Sequence, residues 1–227
     1  MTLASTFSIT AAPGTDIWRK PPTTDVFNAP TATPNTPLRT AGPLTSFLSA
    51  RLSLSFAWQA QYDQGGLLLS FSRRSRSRDQ GQDQNDGGAR PPEKWIKTGI
   101  EFYNGQPRLS TVACDSWADW SVCDLSRPGG DNKDDNNERS SSGGEEKQWT
   151  TVQVEKDKDE HGTSLWVYWV LGDGSKVPLR EICWVFGGQP EDWEVEVSAM
   201  AARPAKDGVE GGLVVEFGGM EVKWKED

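Results

Sequence analysis

Hydrophobic and polar residues alternate along much of this chain with a period of two, which is the spacing of a β-strand with one covered face. Between residues 51 and 62 the alternation is unbroken and predicts one long amphipathic strand, whose apolar face carries Leu52, Leu54, Phe56, Trp58, Ala60 and Tyr62. A turn is predicted at residues 63–66, and a more buried strand follows at 67–71. No segment has a convincing helical period, so the pattern predicts an all-β protein.

The flanking parts of the chain are punctuated by Gly and Pro. Strands are predicted at residues 7–10, 149–154, 165–171, 177–186, 193–201, 212–217 and 220–224. The strand at 165–171 is apolar on both faces, which indicates either cover on two sides or an aromatic platform on one. Residues 13–43 are rich in proline and are expected to cross the surface as irregular backbone. Within them, Trp18 and Phe27 are interpreted as side chains that fill the edge of the core, in preference to a role in ligand binding.

A β-hairpin at residues 95–122 is the most strongly specified local structure. Asn104 and Gly105 are the preferred pair for a two-residue turn that needs positive φ at both positions. This turn sets a register in which Glu101 lies opposite Arg108, Ile100 opposite Leu109, Thr98 opposite Thr111 and Ile96 opposite Ala113. One face of the hairpin is then apolar, with Ile96, Thr98, Ile100, Phe102, Leu109 and Ala113. The other face is polar and partly aromatic.

The polar face has two interpretations, an ordinary solvated surface or one side of a ligand site. The segment DSWADWS at residues 115–121 favours the ligand site, because it places two indoles among carboxylates and hydroxyls at the end of the strand. Aromatic faces stack on apolar ring surfaces, and carboxylates bind the polar rim of such a ligand. The candidate ligand-binding residues are Tyr62, Asp63, Lys97, Glu101, Tyr103, Arg108, Ser116, Trp117, Asp119 and Trp120.

The composition is that of one β domain with two polar interruptions. The chain has 227 residues, of which 35% are hydrophobic and 25% charged, enough for one sizeable core. Residues 72–94 and 126–147 lack periodicity and are expected to be flexible insertions within a single domain spanning residues 1–227. A calcium loop at residues 131–138 is disfavoured, since Lys133 and Asn136 break the ligand pattern.

Charge and cysteine content argue against several classes of function. The net charge of -9 argues against nucleic acid as a partner, and no apolar run is long enough for a membrane helix. Cys114, Cys123 and Cys183 lack metal-ligand spacing and are expected to be reduced, which favours a cytoplasmic protein. The single histidine, His161, lies in a hydrophilic turn that is unsuited to nucleophilic catalysis. No metal, cofactor or catalytic residue is predicted.

Four segments in order carry a family resemblance: YDQGGL at 62–67, WIKTGIEF at 95–102, STV at 110–112 and ADWS at 118–121. Together they resemble the concanavalin A-like family of unknown function that includes the yeast regulator-of-enolase protein. Residues 18–30 and 165–170 are similar to its fungal branch. The resemblance implies a jelly-roll β-sandwich of two antiparallel sheets, related in shape to legume lectins and β-glucanases. Both polar insertions depart from the compact family pattern.

Three functions are compatible with these observations. The favoured one is a lectin-like module that binds a small polar ligand, in particular a carbohydrate. The first alternative is a regulatory module that contacts a metabolic enzyme, as the name of the yeast relative implies. The second alternative is an enzyme acting on a carbohydrate or small metabolite. The enzyme is disfavoured because Glu194 and Glu196 lack the intervening Asp of the glucanase carboxylate motif.

Overall fold

A computed structural model describes residues 5–74, 91–125 and 149–226, and within these ranges the chain forms fifteen β-strands and three short 3-10 turns. The strands are β1 (Phe7–Ala11), β2 (Ile17–Lys20), β3 (Thr24–Phe27), β4 (Thr31–Ala32), β5 (Ala41–Pro43), β6 (Phe47–Phe56), β7 (Gln64–Arg73), β8 (Lys94–Tyr103), β9 (Gln106–Cys114), β10 (Ala118–Asp124), β11 (Thr150–Lys158), β12 (Thr163–Val170), β13 (Lys176–Ile182), β14 (Trp193–Ala202) and β15 (Leu213–Trp224). The 3-10 turns are Leu44–Ser46, Trp184–Phe186 and Pro190–Asp192. The all-β prediction is confirmed.

Two antiparallel sheets make up the fold. The six-stranded sheet has the order β1-β15-β6-β11-β12-β13. The seven-stranded sheet has the order β10-β9-β8-β7-β14-β4, and β5 also pairs with β14. Strands β2 and β3 pair with each other as a separate hairpin. This arrangement is the predicted concanavalin A-like jelly-roll sandwich.

The central hairpin follows the predicted register. Asn104 and Gly105 have φ of 52° and 77°, as a type I′ turn requires. Strand β8 pairs with β9 so that Glu101 lies opposite Arg108 and Ile100 opposite Leu109. The pairs Thr98–Thr111 and Ile96–Ala113 are also formed. The turn and the alternation of apolar and polar residues specify the same register. A slip of one residue would move the whole apolar face to the solvent side.

The main core lies between the two sheets. It is built from alternate residues of the central strands, among them Leu52, Leu54, Leu67, Leu69, Ile96, Ile100, Val152, Val154, Val195, Val197, Val215 and Phe217. All of these side chains are buried. Full burial of an aliphatic side chain contributes roughly 1.5–3 kcal/mol relative to exposure. The apolar face predicted for the hairpin is therefore the inner face of the seven-stranded sheet, and its polar face is the outer one.

A second, smaller cluster covers part of that outer face. The β2–β3 hairpin lies across it, and Ile17 packs with Leu68, Trp95 and Met200. Residues 13–43 are therefore not irregular throughout, as the proline content predicted. The prolines at positions 21 and 22 lie in the turn of a short hairpin, where a missing amide donor costs no strand pairing.

Several predicted strands have different ends in the structure. The strand predicted at 177–186 ends at Ile182, and a 3-10 turn follows at Trp184–Phe186. The strand beginning at residue 47 ends at Phe56, well before Tyr62. A turn follows because the Asp63 carboxylate accepts hydrogen bonds from the backbone amides of Gln59 and Ala60, at 2.9 and 3.0 Å. The predicted strands 212–217 and 220–224 form one strand, β15, with a register shift between Gly218 and Glu221. Side-chain alternation alone does not reveal these ends.

The ends of the predicted turn and insertions also differ. Gly65 and Gly66, expected in a turn, belong to β7. Ser72 and Arg73 continue β7, and Lys94 begins β8, so these residues are not part of an insertion. Residues 75–90 and 126–148, including the calcium-loop hypothesis, lie outside the described ranges. No helix within the described ranges is long and apolar enough to cross a bilayer.

Candidate functional site

A pocket of about 460 Å³ opens on the outer face of the seven-stranded sheet, beside the β2–β3 hairpin. Strands β7, β8, β9 and β10 form its floor and one wall, and the segments around β2 and after β14 form the others. Its lining residues are Asp16, Trp18, Lys20, Tyr62, Gln64, Lys97, Glu101, Val112, Trp120 and Pro204. The pocket therefore combines three aromatic side chains with charged and amide groups.

Two glycines without side chains face each other across β7 and β8 at the floor of the pocket. Gly66 pairs with Gly99 in the register of the two strands. A Cβ on Gly66 would lie 2.0 Å from the carbonyl oxygen of Thr98, and a Cβ on Gly99 would lie 2.0 Å from that of Gly65. Any side chain at either position would collide with backbone. The close approach of these strands thus depends on glycine, and it leaves a gap between the flanking outward-facing side chains.

Lys97 lies two residues before Gly99 on the same face of β8, and its side chain is only 6% exposed. Its Nζ donates a hydrogen bond to Gln64 Oε1 at 2.7 Å and contacts Asp16 Oδ1 at 3.4 Å. An ammonium group removed from water needs such partners, since an unpaired buried charge is strongly unfavourable. Asp16 and Gln64 therefore hold the positive charge of Lys97 at the pocket floor.

Glu101 lies two residues after Gly99 and is 6% exposed. Its Oε2 accepts hydrogen bonds from Ser110 Oγ at 2.7 Å and from Trp120 Nε1 at 2.9 Å. Burial raises the pKa of the Glu101 carboxyl above its ordinary value of 4.5, and the charge of Lys97 opposes this shift in part. Among the described residues, none donates a hydrogen bond to Oε1.

Three aromatic rings pack together at the rim of the pocket. Tyr103 and Trp120 make an edge-to-face contact with centroids 4.9 Å apart, and Tyr62 stacks on Tyr103 at 5.8 Å. Tyr62 also contacts Trp120, at 6.3 Å. The ring of Trp120 is therefore held both by the hydrogen bond from its indole nitrogen to Glu101 and by its contacts with the two tyrosine rings. Tyr62 remains 39% exposed and presents an aromatic surface to solvent.

A buried ion pair supports the loops around the pocket. Arg203 Nε and Nη2 donate to the two carboxylate oxygens of Asp63, at 2.9 and 2.8 Å, and both side chains are inaccessible to solvent. The carbonyl of Arg203 accepts from the amides of Gly14 and Thr15. The pocket residues Tyr62, Asp16 and Pro204 each lie next to one of these anchored positions. Asp63 therefore stabilises the loops around the pocket, and its side chain does not line the pocket itself.

The predicted ligand-binding residues divide into two groups. Tyr62, Lys97, Glu101 and Trp120 line the pocket, and Tyr103 contacts it through the ring cluster. The others lie elsewhere. Arg108 pairs with Asp124 on β10, Asp119 pairs with Arg180 on β13, and Ser116 and Trp117 are exposed in the β9–β10 turn. Asp119 and Trp120 are neighbours in a strand, so their side chains point to opposite faces and do not share a site.

Six lining residues were not predicted from the sequence: Asp16, Trp18, Lys20, Gln64, Val112 and Pro204. Val112 could have been predicted, since it faces outward in the register that the central hairpin sets. Gln64 lies opposite Glu101 on β7, a position that the sequence analysis assigned to a turn. Asp16, Trp18 and Lys20 come from a hairpin hidden by the surrounding prolines. Trp18, interpreted as a plug for the core, packs partly against the second cluster and partly lines the pocket.

The fold and the pocket define a concanavalin A-like β-sandwich with a polar and aromatic pocket on the outer face of one sheet. The chain belongs to the family described as "Protein of unknown function (DUF1349)", whose model matches residues 2–224. An uncharacterized protein of Emericella nidulans is 36% identical over 222 residues, which cover 97% of this chain and 88% of that protein.

Two solved structures are similar in fold. A functionally unknown protein from Saccharomyces cerevisiae has a TM-score of 0.58 at 18% identity, over 100% of this chain and 92% of that one. A bifunctional GH43-CE protein from Bacteroides eggerthii has a TM-score of 0.52 at 12% identity. That match covers 97% of this chain and 21% of the Bacteroides chain. At these identities the similarity shows the fold alone.

Proposed function

We propose that the pocket on the outer face of the seven-stranded sheet binds a small polar ligand with an apolar ring face, of which carbohydrates are the main class. The observation that carries this proposal is the meeting of aromatic walls with a buried Lys97 and Glu101 in one pocket of about 460 Å³. Ligand pockets in proteins are typically about 300–1,000 Å³ and combine apolar walls with a few placed polar groups.

The charges in the pocket support a polar ligand without a large net charge. Lys97 and Lys20 contribute positive charge, and Asp16 and Glu101 contribute negative charge, so the formal charges cancel. The groups are spaced around the floor and rim. A ligand with several hydroxyl groups can donate to the carboxylates and accept from the ammonium groups. The rings of Trp18 and Trp120 offer flat apolar surface to the same molecule.

The experiment is a glycan and metabolite screen on the purified protein, followed by calorimetry of each hit with the Trp120→Ala variant. Loss of the ring should weaken binding by roughly tenfold or more. The matched control is Trp117→Ala, because Trp117 is 47% exposed and lies outside the pocket. The free energy of unfolding of each variant is measured alongside. Equal affinity per folded molecule in the wild type and Trp120→Ala would contradict the proposal.

A second function, a regulatory contact with a metabolic enzyme, is supported by a different surface. Trp166 and Tyr168 stack at 6.1 Å on the outer face of the six-stranded sheet, and both are half-buried. The neighbouring Glu155 is already bound to Gln153 and Lys176. An aromatic patch whose polar neighbours are paired suits a protein surface better than a small ligand.

Purified enolase is the probe for this second function, since the family resemblance includes a regulator of that enzyme. Trp166→Ala should weaken binding of enolase, measured by interferometry, about tenfold or more. Trp120→Ala serves as the matched control on the other outer face. No measurable binding of enolase by the wild-type protein would remove this regulatory function for that partner.

A further inference from the structure

A small recess lies in the floor of the pocket, between Lys97 and Glu101. Its volume is about 10 Å³, which is room for about one water-sized oxygen atom. Gly99 lies between Lys97 and Glu101 on β8 and places no side chain between the two charged groups. Its walls include Gln64, Lys97, Gly99, Glu101 and Ser110.

The two charged groups at the recess each retain unused hydrogen-bonding capacity. An ammonium group has three donors, and within the described residues Lys97 Nζ uses two of them, toward Gln64 and Asp16. Glu101 Oε2 accepts from Ser110 and Trp120, whereas no described residue donates to Oε1. One donor and one acceptor therefore remain beside a space that holds a single atom.

A hydroxyl group matches this arrangement. Its oxygen donates one hydrogen bond and accepts others at the same atom, whereas a carboxylate only accepts and an ammonium group only donates. A carboxylate would also meet the negative charges of Glu101 and Asp16. An acetamido group is larger than the recess. Both the hydrogen-bonding groups and the volume of the recess therefore favour a hydroxyl group.

We propose that the recess receives one hydroxyl group of the bound ligand, so that the pocket prefers a neutral polyol ring over a uronic acid or an N-acetylated sugar. This inference rests on the proposed binding function and adds to it the class of ligand. The hydroxyl donates to Glu101 Oε1 and accepts from Lys97 Nζ. The aromatic residues at the rim then contact the apolar face of the ring.

The test uses a panel of methyl pyranosides, with the monodeoxy and monodeoxyfluoro derivative at each position, titrated into the wild-type protein by calorimetry. At one position both replacements should weaken binding about 10- to 100-fold, because deoxy removes both hydrogen bonds and fluorine cannot donate. If that position is C6, the uronic acid should also bind at least tenfold more weakly, and if it is C2, the N-acetylated derivative should do so.

A variant cycle then links the selected hydroxyl to Glu101. In Glu101→Gln, the ratio between hydroxyl and fluoro affinities should fall at least about fivefold from its wild-type value, since the charged acceptor is gone. Glu155→Gln, an equivalent change on the other outer face, should leave the ratio unchanged.

The outcomes separate the two proposals. If pyranosides bind but tolerate deoxy and fluoro replacement at every position, the recess inference is overturned and the proposed function stands. If the critical position exists but its ratio is the same in Glu101→Gln and the wild type, the recess inference is also wrong. If no pyranoside binds the wild type, the carbohydrate function and the inference built on it fail together.

Discussion

The two outer faces of the sandwich carry the same kinds of residue in very different surroundings. On the seven-stranded sheet, Lys97 and Glu101 lie beside Trp120 and are about 5–6% exposed. On the six-stranded sheet, Lys176 and Glu155 lie beside Tyr168, and their side chains are 39% and 38% exposed. The β2–β3 hairpin packs only on the first of these faces within the described residues.

This comparison shows what a covering segment changes. Exposed ion pairs contribute about 0–1 kcal/mol, because water already solvates both charges well. Burial makes each charge depend on its partners, so Lys97 needs Asp16 and Gln64, and the pKa of Glu101 rises. The covered face thus contains a pocket with buried charged groups, whereas the charged groups of the uncovered face remain partly exposed to solvent.

The largest expected effect comes from loosening the loops that surround the covered face. Asp63→Ala leaves the Arg203 guanidinium buried without its carboxylate and should lower the free energy of unfolding by about 3–5 kcal/mol. Denaturant unfolding measures this loss. Asp119→Ala, which breaks the ion pair with Arg180 at a carboxylate that is 75% exposed, is the matched control and should cost no more than about 1 kcal/mol. Similar costs for the two variants would contradict the structural role of Asp63.

A smaller effect is expected at the turn that sets the register of the covered face. Gly105 has φ of 77° with no neighbouring atom in the way, so Gly105→Val tests backbone strain alone. It should destabilise the protein by roughly 1–3 kcal/mol, seen as a lower denaturant midpoint. Gly172, in the β12–β13 turn of the other sheet, also has open space but no positive φ. Gly172→Val should therefore leave the midpoint nearly unchanged, and an equal shift in both variants would refute the strain argument.

The smallest effect concerns pH. The folded-state pKa of Glu101 is raised, whereas the unfolded chain titrates this group near 4.5. Protonation of Glu101 therefore favours folding: its contribution is complete below about pH 4.5 and is lost as the pH rises through the folded-state pKa. Denaturant unfolding from about pH 4 to pH 8 should show the wild type losing stability relative to Glu101→Gln as the pH rises.

Glu155→Gln provides the reference for that series, since it leaves Glu101 and its titration in place. The pH-dependent loss assigned to Glu101 should persist in this variant. Parallel stability curves for the wild type and Glu101→Gln would show that burial does not shift the Glu101 carboxyl.

Local sequence was sufficient for the central part of the site. Asn104 and Gly105 define the turn, the turn defines the register, and alternation then assigns Lys97, Glu101 and Tyr103 to one face. These relations involve residues close together in the chain. For the same reason, alternation within β10 already places the side chains of Asp119 and Trp120 on opposite faces of the sheet.

The rest of the pocket was decided by contacts between distant parts of the chain. Asp16 reaches Lys97 across 81 positions, and Asp63 pairs with Arg203 across 140. No local pattern encodes such pairings, because they depend on how the β2–β3 hairpin and the end of β14 pack against the sheet. The sequence by itself thus determined an all-β sandwich and the polar face of its central hairpin. Only the tertiary structure decided that this face is covered, because burial depends on packing partners far away in the chain.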